Sequence, residues 1–323
     1  MKSLLSAALV ALPLALGATT AAAQTYPSKP IRWLVPYPAG GGSDFLARTI
    51  GQQLSTHIGQ PVTIENKPGG NTAIAASDVA RAAPDGYTVL SADNGTMVFN
   101  SALYSKLTYN PDKDLTPVTL MGRFPMILVV GPGSDAKDAK DFIAKAKAAP
   151  GKLSYGSAGA GSPHHLAMEL LKTQAGLHMV HIPYRGAAPA LGDLAGGQIP
   201  AMMVDLAAGA GFIKSGKVRA LAVANDKRLP QLPDVPTFGE LGFKGVEAAA
   251  LVGLVAPAGV PADVVSALQK QVKAAIDQPA VKQKLIEFGV EPVGSTPAEY
   301  GALLKSEVTR WHKLIKDLKI TLD

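Results

Sequence analysis

Two short stretches concentrate the residues able to do chemistry. One is Ala39-Gly40-Gly41-Gly42-Ser43-Asp44, the other Ser157-Ala158-Gly159-Ala160-Gly161-Ser162. Each follows a strand-like run and precedes a helical pattern. At such a junction the first amide N–H groups of the helix have no backbone partner, and the helix dipole adds partial positive charge. A carboxylate or phosphate placed there meets several donors at once. Gly40, Gly41 and Gly42 also let the main chain approach a ligand without Cβ interference. One such loop is compatible with an ordinary structural turn. Two, one in each half of the chain, point to a ligand gripped from both sides, with a pair of unrelated tight turns as the plainer alternative. Asp44 suits two roles, helix N-cap or acceptor of a ligand N–H or O–H. Ser43, Ser157 and Ser162 can each cap a helix or donate to a ligand oxygen. Ser162, just before Pro163, is placed to cap.

Catalytic alternatives are weaker. Neither loop ends in Gly-Lys-Ser or Gly-Lys-Thr, and neither has Gly-x-Gly-x-x-Gly spacing, so no nucleotide cofactor is expected. Tyr155-Gly156-Ser157-Ala158-Gly159 approaches the hydrolase elbow, but Tyr155 stands where the first glycine is required. An exported hydrolase using Ser157 and a nearby histidine is therefore the competing reading. His164 and His165 are adjacent and point to different helix faces. With His178 and His181 flanking and entering a strand, no helical His-x-x-x-His pair exists, and no metal site is expected. The expected roles are a helix-start donor for His164 or His165 and sheet packing for His181.

The elements that position these loops read as α/β. Ile31 to Val35 is a buried strand, and Leu46, Ile50, Leu54 and Ile58 then share a helix face. Pro61 to Ile64 is a strand, Lys67-Pro68-Gly69-Gly70 a loop, Thr72 to Arg81 a helix, and Tyr87 to Leu90 a strand. The plan restarts with Lys152 to Tyr155, the second glycine loop and a helix from His165 to Gln174 stopped by Gly176. Strands follow at Met179 to Ile182 and Val218 to Val223. The alternation argues for a mostly parallel sheet flanked by helices in each half. Phe124 to Val130 and Ala248 to Val255 are apolar strands able to carry the chain into a second lobe and back. The expected lobes are residues 24–125 with 247–323, and 126–246. Helices from about Pro261 to Asp323 should pack back on lobe one.

Composition narrows the class. Lys2, the apolar run Leu4 to Leu16 and Ala21-Ala22-Ala23 have the layout of a secretory signal peptide over residues 1–23, cleaved after about Ala23. The remaining chain, about 300 residues, is long for one core. Cysteine is absent, which excludes disulfides and thiolate chemistry. The net charge of +6 is spread along the chain. That dispersion argues against a nucleic-acid partner, while a mild positive field can steer anions.

Taken in order, several motifs resemble one family. They include Tyr37-Pro38-Ala39-Gly40-Gly41-Gly42-Ser43-Asp44 with Ala47-Arg48, Glu65-Asn66-Lys67-Pro68-Gly69-Gly70, and Asp85-Gly86-Tyr87. Ser154-Tyr155-Gly156-Ser157-Ala158-Gly159, His165-Leu166 with Glu169-Leu170, and Ile182-Pro183-Tyr184-Arg185-Gly186 continue the series. Gly216 to Val223, Pro233-Asp234-Val235-Pro236-Thr237 and Ala256 to Pro261 complete it. Over nearly the whole chain beyond residue 23 this resembles the Bug-type (TctC) receptors of tripartite tricarboxylate transporters. The resemblance implies a type II-like periplasmic-binding-protein fold and a monomer that delivers a small carboxylate to inner-membrane transporter subunits without catalysis. The ligand class is di- or tricarboxylate, aromatic acid or amino acid. It implies ligand contacts from the main chain of Ala39 to Asp44 and of Ser157 to Ser162, with Asp205 near the cleft or, alternatively, an ordinary strand-end acid; Asn94, after the Val89-Leu90 strand, is a further candidate for a cleft polar group. A ligand-dependent signalling adaptor shares the same sequence features.

Overall fold

The computed structural model describes residues 26–323. The expected signal segment at 1–23 lies outside the described residues. The first stretch of chain runs β1 (Ile31–Val35), α1 (Gly42–Ile58), β2 (Val62–Asn66), α2 (Ala73–Ala80), β3 (Thr88–Ala92), the short α3 (Asn100–Leu103) and α4 (Pro111–Asp114), and β4 (Leu115–Val130). The middle holds α5 (Ala139–Ala148), β5 (Ser154–Ser157), α6 (Pro163–Ala175), β6 (Val180–Pro183), α7 (Ala187–Ala195), β7 (Ala201–Asp205), α8 (Leu206–Lys214) and β8 (Arg219–Ala224). The last stretch is β9 (Ala249–Pro257), α9 (Ala262–Asp277), α10 (Pro279–Glu287), β10 (Glu291–Pro292) and α11 (Pro297–Asp317). The result is the expected two-lobed α/β architecture.

Local chemistry accounts for these elements. β1 is apolar except for Arg32 and is buried on both faces, as a parallel strand with helices on either side must be. In α1, Leu46, Ile50 and Leu54 form the buried stripe. Gly59 ends that helix with φ +65, a left-handed turn that only glycine takes without strain. Thr296 and Glu299 start α11 with a reciprocal capping box.

Parallel strands form the outer part of each half: β2–β1–β3 in one, β6–β5–β7 in the other. Between them lie antiparallel crossings. β4 is longer than the strand expected from Phe124, because Leu115 to Arg123 also pair with β9. Its pairing with β9 runs to Pro125, and from Met126 onward it pairs with β7 and β8 instead. The return is tied in beside it: Met126 N–H donates to Ala248 C=O, and Ala248 N–H to Ala224 C=O.

This register decides where the glycine loops lie. The carboxyl end of β3 reaches Ala92, opposite Gly253, and β9 continues from there to Ala249, opposite Pro125. The carboxyl end of β7, Asp205, sits opposite Met126. β1 runs parallel to β3, and β5 runs parallel to β7. The loops that follow β1 and β5 therefore both open toward the crossing. Ligand crevices in open α/β sheets lie at such carboxyl ends.

One apolar cluster runs continuously through both lobes, from Leu34, Leu90 and Trp311 to Leu166 and Met203. A second lies on the opposite face of β1, between α1 and α9. A third fills the far face of the second lobe around Ile127 and Val204. β9 passes under α11 so closely that a Cβ on Gly253 would lie 2.3 Å from the buried Tyr300 ring. Gly253→Ala should therefore cost about 1–3 kcal/mol by overpacking. The check is a lower urea midpoint with an unchanged denaturant slope.

Candidate functional site

The first loop is a tight structure of its own. Gly40 has φ +85, while Gly41 is extended and serves as N-cap without a side-chain bond. Ala39, Gly40 and Gly41 are exposed, and Gly42 and Ser43 are half-buried at the start of α1. Asp44 is not the N-cap, because the helix begins earlier, at Gly42, and puts it on the first turn. There its carboxylate accepts from Gly40 N–H (2.8 Å), Asn66 Nδ2 (2.8 Å) and Arg48 Nε (3.0 Å). Burial pushes this carboxyl up, but the bonds from Arg48, Gly40 and Asn66 together hold it below its ordinary 3.8. Both oxygens are occupied by the protein, so Asp44 fastens the loop to α1 and β2. The preceding Tyr37 donates its hydroxyl to Asp93, which also accepts from the Thr96 amide and hydroxyl. That bond ties the loop to the end of β3.

Asn94, next to Asp93, is 1% exposed. Its Oδ1 accepts from Leu251 N–H at 2.6 Å, fixing β3 to β9. Its Nδ2 is buried without a partner. A third loop, Gly69 to Thr72, adjoins this region. Asn71 and Thr72 have φ +47 and +77, a left-handed conformation costly for residues with a Cβ. Asn71 Nδ2 donates to Asn100 Oδ1, and Asn100 Nδ2 donates back to Asn71 C=O. Sequence reasoning missed Asn71. Its only signal was the Gly69-Gly70 pair, read as a plain loop.

The second loop is also internally bonded. Ser157 is fully buried, and its Oγ lies 2.7 Å from His181 Nε2 and 3.0 Å from the Gly159 carbonyl oxygen. It also accepts from Gly159 N–H. A serine–histidine contact thus exists, but the hydroxyl is enclosed and shared among three protein groups, a poor placement for a nucleophile. Ala158 and Gly159 are half-buried. Ser162 caps α6, accepting from His165 N–H at 3.2 Å and donating to Gly159 C=O at 2.7 Å. His165 accepts rather than donates: Gly161 N–H reaches its Nδ1 at 3.1 Å. Its ring stacks on His181 at 3.9 Å.

Asp205 ends β7 and caps α8, accepting from Ala208 N–H at 3.0 Å. His164 Nε2 lies 3.0 Å from its other oxygen. Burial pushes the Asp205 carboxyl up, and the bond and charge of His164 with the Ala208 amide bring it below its ordinary 3.8. His164 Nδ1 is buried without a partner. Among the described residues three buried side-chain atoms lack a hydrogen-bond partner: Ser43 Oγ, Asn94 Nδ2 and His164 Nδ1. They come from the first loop, the end of β3 and the start of α6. The two halves meet here. A Cβ on Gly42 would lie 3.8 Å from Ala207 Cβ, and one on Gly161 would lie 3.3 Å from Asn71 Nδ2.

The stacked histidines bear on stability. Burial lowers His165 to about 4, aided by Lys172, and burial with the nearby His165 lowers His181 to about 4. Both have an ordinary value of 6.5. Between these values the unfolded chain binds more protons. This contribution to stability is complete above pH 6.5 and is lost as pH falls toward 4. Urea midpoints should drop most steeply in that window, and His181→Gln should flatten the slope.

Comparison with known proteins agrees with this geometry. Residues 46–320 match the family model described as tripartite tricarboxylate transporter family receptor. BugT of Bordetella pertussis is 33% identical over 301 residues, covering 93% of this chain and 92% of its own. The R. palustris protein Rpa4515, solved with adipate, superposes with a TM-score of 0.84 at 36% identity, covering 90% of this chain and 97% of its own. MatC of Rhodopseudomonas palustris, solved with bound malate, gives 0.80 at 34% identity, covering 90% of this chain and 100% of its own. With a matching family model over most of its length and two glycine loops opening on one crossing, the chain belongs to the receptor family of the tripartite tricarboxylate transporters.

Proposed function

We propose that this protein captures a small carboxylate between its lobes and hands it to inner-membrane transporter subunits from the periplasm. What supports the reading is that both glycine loops follow strand ends directed at one crossing of strands, with buried polar atoms lacking partners on the first loop, past the end of β3 and at the start of α6. Helix starts present amide donors and partial positive charge. Ala39 to Ser43 and Ser157 to Ser162 are the main-chain contributors, with Asn94 at the base. Asp44 and Asp205 act through the loops they hold. The solved relatives containing adipate and malate support a carboxylate as ligand. Among the described residues no helix is long and apolar enough to cross a membrane, which suits a receptor that works beside its transporter.

The lobes in this reading are residues 26–125 with 247–323, and 126–246, because β4 changes partner at Pro125 and Met126. Two strand connections then form the hinge. A ligand touching both loops favours the closed form by its differential affinity for that form alone. The enclosed Ser157 argues against the hydrolase alternative.

A thermal-shift screen of the mature protein tests the reading. A true carboxylate ligand at about 100-fold excess over its Kd should add about 2.7 kcal/mol of stability, and the corresponding amide should add none. Failure of every di-, tri-, aromatic and amino acid tried would remove the proposal. Ser157→Ala should leave ester turnover at background.

A further inference from the structure

We propose that the turn Ile286–Glu291 is a clasp between the lobes, with Gly289 as the positioning residue that sets how closely the starts of α1 and α8 approach. The inference rests on the carboxylate-receptor reading above and adds the element that holds its two halves together. The turn follows α10 and belongs to lobe one. It is built rigidly there: Gly289 N–H donates to Ile286 C=O at 2.9 Å, and Val290 N–H to Leu285 C=O at 3.0 Å. Leu285 and Val290 are buried in the cluster between α1 and α9, and Glu291 pairs with Arg123 of β4.

The outward side of this turn goes to the other lobe. Gln231 Nε2 donates to Ile286 C=O at 2.6 Å, and Asn225 Nδ2 donates to Glu291 Oε1 at 3.0 Å. Asn225 is 3% exposed, and its Oδ1 accepts from Arg123 Nη2 at 3.5 Å. Among the described residues, these three are the side-chain hydrogen bonds that cross between the lobes. Lobes joined by two strands alone can swing about them. Bonds gathered at one turn beside those strands hold the swing at one angle.

The same turn touches both helix starts. The Phe288 ring stacks on Phe45 in the first turn of α1, with centroids 3.6 Å apart. Gly289 lies against the first turn of α8: a Cβ there would stand 2.7 Å from Leu206 Cβ and 3.0 Å from Ala207 N. Ala207 in turn neighbours Gly42 of the first loop. Backbone atoms cannot yield as a side-chain tip can, so a larger residue at position 289 must push the lobes apart. Gly289 also has φ +93, which brings local strain to any substitution. Gly242 separates the two effects, because it has the same φ of +93 with open space around its Cβ position.

Binding of adipate and malate, read as Kd and as dissociation rate, together with small-angle scattering with and without acid, tests this. Gln231 is exposed, so Gln231→Ala leaves the core untouched. It should weaken acid binding about fivefold, the loss of one hydrogen bond, through faster dissociation at an unchanged association rate. Gly289→Ala should weaken binding about tenfold, by overpacking at the contact between lobes, and give a larger radius of gyration than the wild type. Gly242→Ala should match the wild type in both while losing similar stability to left-handed strain. Equal binding by Gly289→Ala and Gly242→Ala, an unchanged dissociation rate in Gln231→Ala, or identical scattering of Gly289→Ala and wild type with and without acid would overturn the clasp and leave the receptor reading standing. Binding of neither acid by the wild type would count against the receptor reading, and scattering of the acid-free proteins would then decide the clasp alone.

Discussion

Strand β4 leaves one set of partners and takes up another between Pro125 and Met126, and the geometry of the site depends on that exchange. A strand must pair along its edges or leave its amides and carbonyls unpaired. By pairing in both halves, β4 joins two sheets at the carboxyl ends of their parallel strands. Each glycine loop follows such an end. Both loops open toward the crossing because each follows the carboxyl end of a parallel strand whose register is tied to that shared strand.

Around this junction polar groups fall into two kinds. Asp44, Asp93 and Ser157 are saturated by the protein and serve to hold backbone in place. Their removal would expose unpaired donors in a buried setting, which costs more than the bonds themselves contribute. Ser43, Asn94 and His164 each keep an atom unpaired. Buried polar atoms without partners are uncommon in folded proteins and ask for an explanation. The three lie on the first loop, just past the end of β3 and at the start of α6.

The second loop rests on a buried layer of its own. His165 and His181 stack beneath it, one bonded to Gly161 and the other to Ser157. Their low basicity keeps the layer neutral at ordinary pH, so the loop's amides are not opposed by a variable charge below them. His164, one residue away, faces Asp205 on β7 and sits in a different electrostatic setting. Adjacent helix residues point to different faces, and here that puts the two imidazoles into different hydrogen-bond networks.

Much of this was legible in the residues. The α/β plan, the two glycine loops, the Ser162 cap and the two crossing strands follow from hydrophobic period, glycine placement and the stiffness of proline at a first helical turn, all local effects. The expectation that such loops suit a carboxylate follows from unpaired helix amides in the same way. What tertiary structure decided is everything set by contact between distant segments. The cap role of Asp44 was open until the helix start at Gly42 excluded it, and its bond with Asn66 of β2 joins residues 22 positions apart. Asn71 acquired significance only when its loop came up against Gly161. The pairing of His164 with Asp205 joins residues 41 positions apart, and no periodicity encodes a partner chosen by strand register.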